Sequence, residues 1–241
     1  RKCSCRTERV AHDARILLPH AGGTGLLELG LKTLIAYLLG SLMGALLIGA
    51  ARGVDIRELG SGNAGATNAL RTRGFWFAAG VVVIDVGKGM VAAGWLPDFS
   101  IPGITQDSSI DRDWLAVSCA AAVVAGHVWP LYQEFRGGKG GATLVGALLV
   151  LAPVVVPVAI AGWLLIVLLT GFAGLATMIA AATVPVALWL LGLQSPPLFA
   201  FATAMAAFLV WTHRSNIGRM RSGNEPRLTG LWLLRPRIPR P

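Results

Sequence analysis

A long uncharged run occupies most of the second half of this chain. Residues 143–212 contain no Asp, Glu, Lys or Arg, and residues 33–51 and 114–133 also lack these residue types. Apolar runs of about 18 or more residues are typical of transmembrane helices. Charged residues make up only 14% of the chain, whereas soluble domains carry about 25%. The sequence therefore predicts an all-α, polytopic helical membrane bundle.

The charges are distributed unevenly among the segments that separate these runs. Basic residues outnumber acidic residues in segments 52–73, 127–142 and 213–241, whereas segment 95–113 has four aspartates and one arginine. Basic loops concentrate on the cytoplasmic side of a membrane. We therefore expect a multi-pass protein of the cell (inner or plasma) membrane, with the three basic segments facing the cytoplasm and the acidic loop facing outward.

The number of crossings follows from the lengths of the apolar runs. We place the first three spans at 29–51, 74–96 and 114–132. Two crossings within 143–212 would need helices of about 52 Å at about 1.5 Å per residue, which exceeds a hydrocarbon core of about 30 Å. Three crossings would put the arginine-rich segment 213–241 outside, against the charge rule. Four crossings of about 17 residues each fit, so we predict about seven transmembrane helices.

The predicted domain organisation is simple. Residues 1–28 lack an apolar core like that of a signal peptide, so we expect a disordered or non-native N-terminal extension there. Residues 29–228 form one membrane domain, because no long polar linker divides them. Residues 229–241 form a basic cytoplasmic tail, whose arginines are expected to set topology and contact anionic lipid.

Three glycine-rich polar segments interrupt the apolar runs, and polar clusters beside spans usually mark functional sites. In the first segment, closely spaced glycines allow backbone N–H groups to converge on an anion. Arg71 adds a guanidinium that can bind phosphate oxygens in a bidentate manner. The alternative is a tight re-entrant loop whose backbone is satisfied internally. The candidate binding residues are Gly60, Ser61, Gly62, Asn63, Gly65, Thr67, Asn68 and Arg71.

The second segment places a lysine between glycines beside a membrane helix, which suits phosphate binding. It is not a Walker A loop, because no Ser or Thr follows the lysine and the glycine spacing differs. His127, at the end of the third span, either bonds the helix C-terminus or takes part in catalysis. The candidate binding residues are Gly137, Gly138, Lys139, Gly140 and Thr143.

The third segment contains His213, Asn216 and Glu225. His213 and Asn216 are three positions apart, so they share a face if the helix continues through them. Glu225 is either a site residue or an ion-pair partner for the surrounding arginines. Within the second span, Asp85 and Lys88 either form a structural pair or point into the site, because ionisable residues inside a span rarely face lipid.

Other function classes receive little support from the sequence. The pattern Gly60-x-Gly62-x-x-Gly65 matches a dinucleotide fingerprint, which requires a preceding strand and a βαβ unit. No set of His, Cys and carboxylate residues has a convincing metal-ligand spacing, and no Gly-x-Ser-x-Gly elbow is present. We therefore expect no metal, no cofactor and no nucleic-acid partner. A small phosphate or organophosphate transporter is the main alternative to an enzyme, although the internal repeats common in transporters are not visible. A scaffold that binds anionic lipid is a third option.

The motifs themselves resemble those of the bacterial acyl-phosphate:glycerol-3-phosphate acyltransferase family over roughly residues 31–228. Three long patterns occur in order: Gly-Ser-Gly-Asn-x-Gly-Ala-Thr-Asn-x-x-Arg at 60–71, Gly-His-x-x-Pro to Gly-Gly-Lys-Gly-x-Ala-Thr at 126–143, and His-Arg-x-Asn-Ile-x-Arg to Gly-x-Glu at 213–225. The second span also carries Asp-x-x-Lys-Gly at 85–89. Such a set is far more specific than any single glycine pattern.

This resemblance implies a reaction and a site. The family transfers a fatty acyl group from acyl phosphate to the 1-hydroxyl of sn-glycerol 3-phosphate, giving lysophosphatidic acid and phosphate, the first acylation of phospholipid synthesis. It implies seven membrane helices, cytosolic motifs, membrane lipid around the protein and an acyl-phosphate-producing enzyme as a partner. The residues matched to functional positions are Ser61, Arg71, Lys139, His213 and Asn216.

The chain departs from the family pattern at two places. Gly141 stands where Val is more usual, and the stretch from Gly174 to Thr177 reads Gly-Leu-Ala-Thr where Ser-Leu-Ala-Ser is typical. The Gly174 change removes a hydroxyl. We expect these changes to alter details of substrate contact while leaving the reaction unchanged.

Overall fold

A computed structural model of the protein describes residues 23–234, which are helical and contain no β-strand. Residues 1–22 and 235–241 lie outside the described residues, as do the corresponding parts of the predicted extension and tail. The helices are α1 (Gly23–Gly40), α2 (Gly44–Ala50), α3 (Ala66–Arg73), α4 (Phe75–Met90), α5 (Arg112–Val128), α6 (Gly141–Leu151), α7 (Val155–Thr170), α8 (Ala173–Leu190), α9 (Pro196–Thr212) and α10 (Arg214–Arg221).

The first span, predicted over 29–51, is a broken helix made of α1 and α2. Helix α1 begins earlier, at Gly23, and α2 is bent by 49° from it. Lys88 of α4 donates from Nζ to the carbonyls of Gly40 at 2.8 Å and Leu42 at 2.9 Å. Asp85 accepts from the Gly44 N–H at 3.2 Å. Two buried charges therefore satisfy backbone groups that the break releases inside the membrane.

The second and third spans coincide with the predicted ones. Helix α4 continues through a π-helical turn, so the helical segment Phe75–Trp95 is 21 residues long. Helix α5 and the following 3-10 turn give the 22-residue segment Arg112–Gln133. Asp111 caps α5 by accepting from the N–H groups of Asp113 and Trp114, which explains why this helix begins directly after the acidic loop.

The uncharged run folds into four helices, α6 to α9, as predicted. The breaks between these helices fall beside Pro153, at Gly171 and before Pro196. Among the described residues, three helices are long and apolar enough to cross a membrane, and two bent pairs could each form one further span. Helices α6 and α7 are apolar but shorter, at 11 and 16 residues. The multi-span helical class is therefore confirmed, whereas a count of seven crossings stays a prediction.

Glycines at helix crossings determine how closely the central helices pack. A Cβ on Gly126 of α5 would collide with the Tyr37 carbonyl of α1, and a Cβ on Gly146 of α6 would collide with the Val86 carbonyl of α4. Small residues are favoured at such contacts because they let helix backbones approach. Helices α1 and α5 thus form one pair, α4 and α6 a second, and α7 and α8 a third.

A buried ion cluster fixes the end of the bundle opposite the glycine-rich segments. Glu28 accepts from Lys32 at 2.8 Å, from Arg112 at 2.6 Å and from the Asp107 N–H at 2.9 Å. Arg112 also donates to the Pro97 carbonyl at 3.3 Å. These bonds attach the acidic loop to α1 and α5. The glycine-rich segments lie at the other end of the bundle.

Candidate active site

Residues of all three glycine-rich segments line one cavity of about 300 Å³. Its polar wall comes from the loop before α3, the loop between α5 and α6, and the segment that follows α9. From there it extends along apolar side chains of α6, α7 and α8, among them Leu148, Trp163 and Val184. The cavity therefore joins a polar compartment to an apolar groove within the helical bundle.

Most of the predicted site residues line this cavity. They are Ser61, Asn63, Gly65, Thr67, Asn68, Arg71, Asp85, His127, Lys139, Gly140, His213, Asn216 and Glu225. The remaining predicted residues do not line it: Gly60, Gly62, Gly137, Gly138, Thr143 and Lys88. Gly60 and Gly62 form the turn of the first loop, with φ of 59° and 71°, a region that favours glycine. Thr143 is fully buried, with a hydroxyl that lacks a hydrogen-bond partner among the described residues.

Asn68 holds the first loop together. Its Oδ1 accepts from the Ser61 N–H at 2.9 Å, and its Nδ2 donates to the carbonyls of Ile56 at 3.1 Å and Leu59 at 2.9 Å. The amide is therefore occupied by its own loop, although it lies in the cavity wall. The Ser61 side chain makes no hydrogen bond to another described residue, so its hydroxyl is available to a ligand.

Two helix N-termini open onto the cavity. Helix α3 begins after Gly65 and α6 begins after Gly140, and neither has a side-chain cap. Residues of both first turns, Thr67 and Ala142 among them, line the cavity. The first N–H groups of a helix have no intrahelical acceptor, and the helix dipole adds positive potential there. This arrangement is a ready site for anions such as phosphate.

Arg71 and Lys139 supply positive charge to the same wall. Arg71 donates from Nη2 to the Pro226 carbonyl at 2.9 Å, whereas its buried Nε has no partner among the described residues. Lys139 donates from Nζ to Asn216 Oδ1. Asn216 in turn donates from Nδ2 to Glu225 at 2.6 Å. The lysine is thus held in place by a neutral amide, which leaves its charge free to act on a ligand.

Glu225 is an ion-pair partner as well as a cavity residue. Its second carboxylate oxygen accepts from Arg219 Nε at 2.7 Å. Arg219 was part of the third motif but was not among the predicted site residues. Its approach to Glu225 was not visible in the sequence, because the two residues belong to α10 and the loop after it. The pair offsets one positive charge, and Arg71 and Lys139 supply the basic side chains that line the cavity.

The environment of the wall lowers the proton affinity of its bases. Burial, with smaller contributions from the charges of Arg219 and Arg71, lowers the pKa of Lys139 to about 8, and Glu225 opposes this effect. Burial also lowers the pKa of Arg71, but a guanidinium stays protonated in proteins. An anion bound between these cations would restore the pKa of Lys139 toward its ordinary value.

His213 presents one defined nitrogen to the cavity. Its Nδ1 lies 2.7 Å from the Leu209 carbonyl, and because a carbonyl only accepts, Nδ1 carries a proton. Nε2 is therefore left as an acceptor in the neutral ring. The preceding Thr212 donates from Oγ1 to the Lys139 carbonyl at 3.1 Å, which fixes the lysine loop against the end of α9.

His127 links the buried charges of α4 to the lysine loop. Its Nδ1 lies 2.9 Å from Lys88 Nζ and 3.5 Å from Asp85 Oδ1. A Cβ on Gly138 would collide with the opposite side of the ring. Because residue 138 is glycine, the loop passes directly over His127. His127 therefore contacts both the buried charges that bond the broken first span and the loop that carries Lys139.

The departures from the family pattern have a structural explanation. A Cβ on Gly174 would lie 2.7 Å from Asn216 Nδ2, and a Cβ on Gly141 would lie 3.2 Å from Thr177 Cγ2. Gly174 therefore gives Asn216 the space it occupies, and Gly141 accommodates the Thr177 methyl group. Thr177 also accepts from Trp163 Nε1 at 3.1 Å. The residues of this apolar groove could not be predicted from the sequence, because helices that are apolar on all sides show no distinct face.

Fold and site together define a polytopic helical membrane protein with a cavity whose basic, polar wall opens into an apolar groove. The glycerol-3-phosphate acyltransferase family model matches residues 31–223. The chain therefore belongs to the glycerol-3-phosphate acyltransferase family.

Individual relatives agree with this assignment. A glycerol-3-phosphate acyltransferase of Rippkaea orientalis is 38% identical over 203 residues, covering 83% of this chain and 92% of the relative. One of Pseudomonas paraeruginosa is 40% identical over 199 residues, covering 81% and 97%. The recognition made from the motifs and the predicted acyltransferase class are both confirmed.

Solved structures of a relative have the same fold. The crystal structure of PlsY (YgiH), an integral membrane glycerol 3-phosphate acyltransferase, in its glycerol 3-phosphate form matches with a TM-score of 0.71 and 30% identity, covering 83% of this chain and 95% of that one. Its lysophosphatidic acid form matches with a TM-score of 0.72 and 30% identity, covering 86% and 98%.

Proposed function

We propose that this protein transfers a fatty acyl group from acyl phosphate to the 1-hydroxyl of sn-glycerol 3-phosphate, giving lysophosphatidic acid and inorganic phosphate. One observation carries this proposal: two uncapped helix N-termini and two cations line a cavity that continues into an apolar groove. Such a cavity suits two phosphate groups and one acyl chain at the same time. Family membership and the relatives' names support acylation of glycerol 3-phosphate.

The side chains of the polar wall have distinct proposed roles. Arg71, Lys139 and the first N–H groups of α3 and α6 bind the phosphate groups and stabilise negative charge that develops on the carbonyl and leaving oxygens. Ser61 and His213 position glycerol 3-phosphate, since both present a polar atom that is not used inside the protein. Asn216 orients Lys139. Asp85, Lys88 and His127 support the wall from behind.

The reaction needs no covalent enzyme intermediate, because acyl phosphate is an activated mixed anhydride. The hydroxyl oxygen of glycerol 3-phosphate attacks the acyl carbon, and the bond from that carbon to the phosphate oxygen breaks. The hydroxyl proton passes to an oxygen of the departing phosphate, so inorganic phosphate leaves and an ester remains. The protein contributes alignment of the two substrates, which removes much of the entropic barrier.

The charge distribution supports an active site that faces the cytoplasm from a cell membrane. In the segments that form the polar wall, basic residues outnumber acidic ones, and such segments stay on the cytoplasmic side. A water-soluble substrate would then enter from the cytoplasm, and an acyl-phosphate-producing enzyme would supply the donor. Labelling of single cysteines placed at Arg136 and Ser109 from either side of the membrane tests this orientation. Cytoplasmic labelling at Ser109 would contradict it.

The donor is tested with purified protein in lipid, glycerol 3-phosphate and either palmitoyl phosphate or palmitoyl-coenzyme A. We expect phosphate release that requires both palmitoyl phosphate and glycerol 3-phosphate, and no product from the coenzyme A ester. Lys139→Ala should abolish the reaction, whereas Arg136→Ala, in the same loop but exposed, should not. Product from the coenzyme A ester alone would overturn the proposed donor. Uptake of glycerol 3-phosphate into proteoliposomes without any acylation would favour the transporter.

A further inference from the structure

The chain after α10 forms a C-terminal strap, which we define as residues 226–234. The strap crosses the turn between α7 and α8, where the Leu228 N–H donates to the Gly171 carbonyl at 2.8 Å. Trp232 donates from Nε1 to the Leu169 carbonyl at 3.1 Å. Leu228 is buried against α7 and α8. The predicted basic tail over 229–241 therefore begins with residues that are fixed on the helical bundle.

Arg227 is clamped between two aromatic rings at the start of the strap. Its guanidinium carbon lies 4.4 Å from the centre of the Phe172 ring and 4.0 Å from the centre of the Trp232 ring. It also donates from Nη1 to the Thr170 carbonyl at 3.2 Å. Cation–π contacts of this kind hold a guanidinium in one orientation. Arg227 does not line the cavity, so it does not contact a ligand there.

The two residues before Arg227 connect the strap to the polar wall: Glu225 lines the cavity, and Pro226 contacts Arg71, which also lines it. The Pro226 carbonyl accepts from Arg71 Nη2 at 2.9 Å. Glu225 accepts from Asn216 at 2.6 Å, and Asn216 accepts from Lys139. Both proposed phosphate-binding cations are therefore oriented by backbone and side-chain groups whose position depends on where the strap is anchored.

We infer that Arg227, held by Phe172 and Trp232, is a positioning residue that orients Arg71 and Lys139 for phosphate binding. This inference rests on the proposed function, and it adds a positioning residue that lies outside the glycine-rich segments. Release of the clamp frees the Pro226 carbonyl and Glu225 to move, so each cation samples orientations that do not suit a phosphate. The affinity for glycerol 3-phosphate then falls while the helical bundle stays folded.

The kinetic test compares Arg227→Ala with Arg227→Lys and with the control Arg221→Ala, an exposed arginine at the end of α10. We expect Arg227→Ala to raise KM for glycerol 3-phosphate about fivefold, the size of one exposed cation–π contact expressed as an equilibrium constant. Arg227→Lys, which keeps a cation, should restore part of the loss. Arg221→Ala should match the wild type. An unchanged KM in Arg227→Ala, with activity lost only through kcat or through the amount of folded protein, would overturn the inference.

A double-mutant comparison tests whether Arg227 acts through the cavity. Equilibrium binding of glycerol 3-phosphate without a donor is measured for Arg71→Ala, Arg227→Ala and both together. Contacting or coupled residues give non-additive effects, so the Arg227 change should add much less in the Arg71→Ala background. Full additivity would contradict the inference. Because this assay needs no acyl transfer, a wild type that binds glycerol 3-phosphate but makes no product would refute the proposed function and still test Arg227.

Discussion

Lys139 should make phosphate binding depend on pH in a range where most lysines stay charged. Its pKa is about 8, so about nine-tenths of the free protein carries the ammonium at pH 7 and about one-tenth at pH 9. The pKa of Lys139 is lowered in the free protein and raised again by a bound anion. The affinity for the anion is therefore complete below pH 8 and is lost as the pH rises through that value.

The expected magnitude follows from these fractions. If only the ammonium form binds, the dissociation constant for glycerol 3-phosphate rises about tenfold between pH 7 and pH 9. The ligand itself does not cause this rise, because its second phosphate pKa of about 6 makes it largely dianionic over the whole interval. Calorimetry in buffers of different ionisation enthalpy should also detect proton uptake on binding at pH 9 and little at pH 7.

The matched control is Lys139→Arg, since arginine stays charged throughout this interval. Its affinity should differ from that of the wild type but should be flat between pH 7 and pH 9. Arg136→Ala, an exposed change in the same loop, should keep the wild-type profile. A wild-type affinity that does not change with pH, or an equal fall of affinity in Lys139→Arg, would rule out Lys139 as the group that causes the pH dependence.

Three further substitutions test separate parts of the structure. Asp85→Ala leaves Lys88 buried without its 3.0 Å partner, and we expect a loss of about 3–5 kcal/mol in folding free energy, seen as a lower Tm in detergent. Gly174→Leu fills the space that Asn216 occupies and forces it away from Lys139, so we expect kcat/KM to fall about tenfold, an energy of about 1.4 kcal/mol, in the phosphate-release assay. Arg71→Ala should weaken equilibrium binding of glycerol 3-phosphate by about tenfold or more, since charge-assisted bonds are the strong ones.

Each of these changes has a control and a contradicting result. Asp85→Ala combined with Lys88→Met removes the unpaired charge and should recover part of the Tm, so equal Tm values for the single and double variants would contradict the ion-pair account. Gly162→Leu, at a glycine with open space around it, should leave kcat/KM unchanged. For Arg71, the control is the exposed Arg73→Ala on the same helix, and equal binding losses in both would show a general charge effect.

Much of the fold could be predicted because a bilayer imposes strict lengths and polarities. The second and third spans and the four helices of the uncharged run lie where apolar length and proline or glycine breaks put them. The break in the first span could not be predicted, because residues 33–51 are uniformly uncharged. It depends on Asp85 and Lys88, which come from another helix.

Most residues that line the cavity could be predicted from the sequence, but the contacts that each of them makes could not. The glycine-rich segments gave the residues that line the polar wall. Asn68 looks like a ligand in the sequence, yet its amide is used to hold its own loop. The Pro226 carbonyl and the Arg227 clamp depend on the path of the chain after α10. A backbone acceptor carries no sequence signal, so tertiary structure was needed to find it.

We propose that one cavity binds acyl phosphate and glycerol 3-phosphate together and that the acyl group passes directly between them. The most direct measurement is mass spectrometry of the lipid formed by purified protein from deuterated palmitoyl phosphate and carbon-13-labelled glycerol 3-phosphate. We expect lysophosphatidic acid that carries both labels from the wild type and no doubly labelled product from Lys139→Ala. Folded wild-type protein that binds both substrates but yields no doubly labelled lysophosphatidic acid would contradict it.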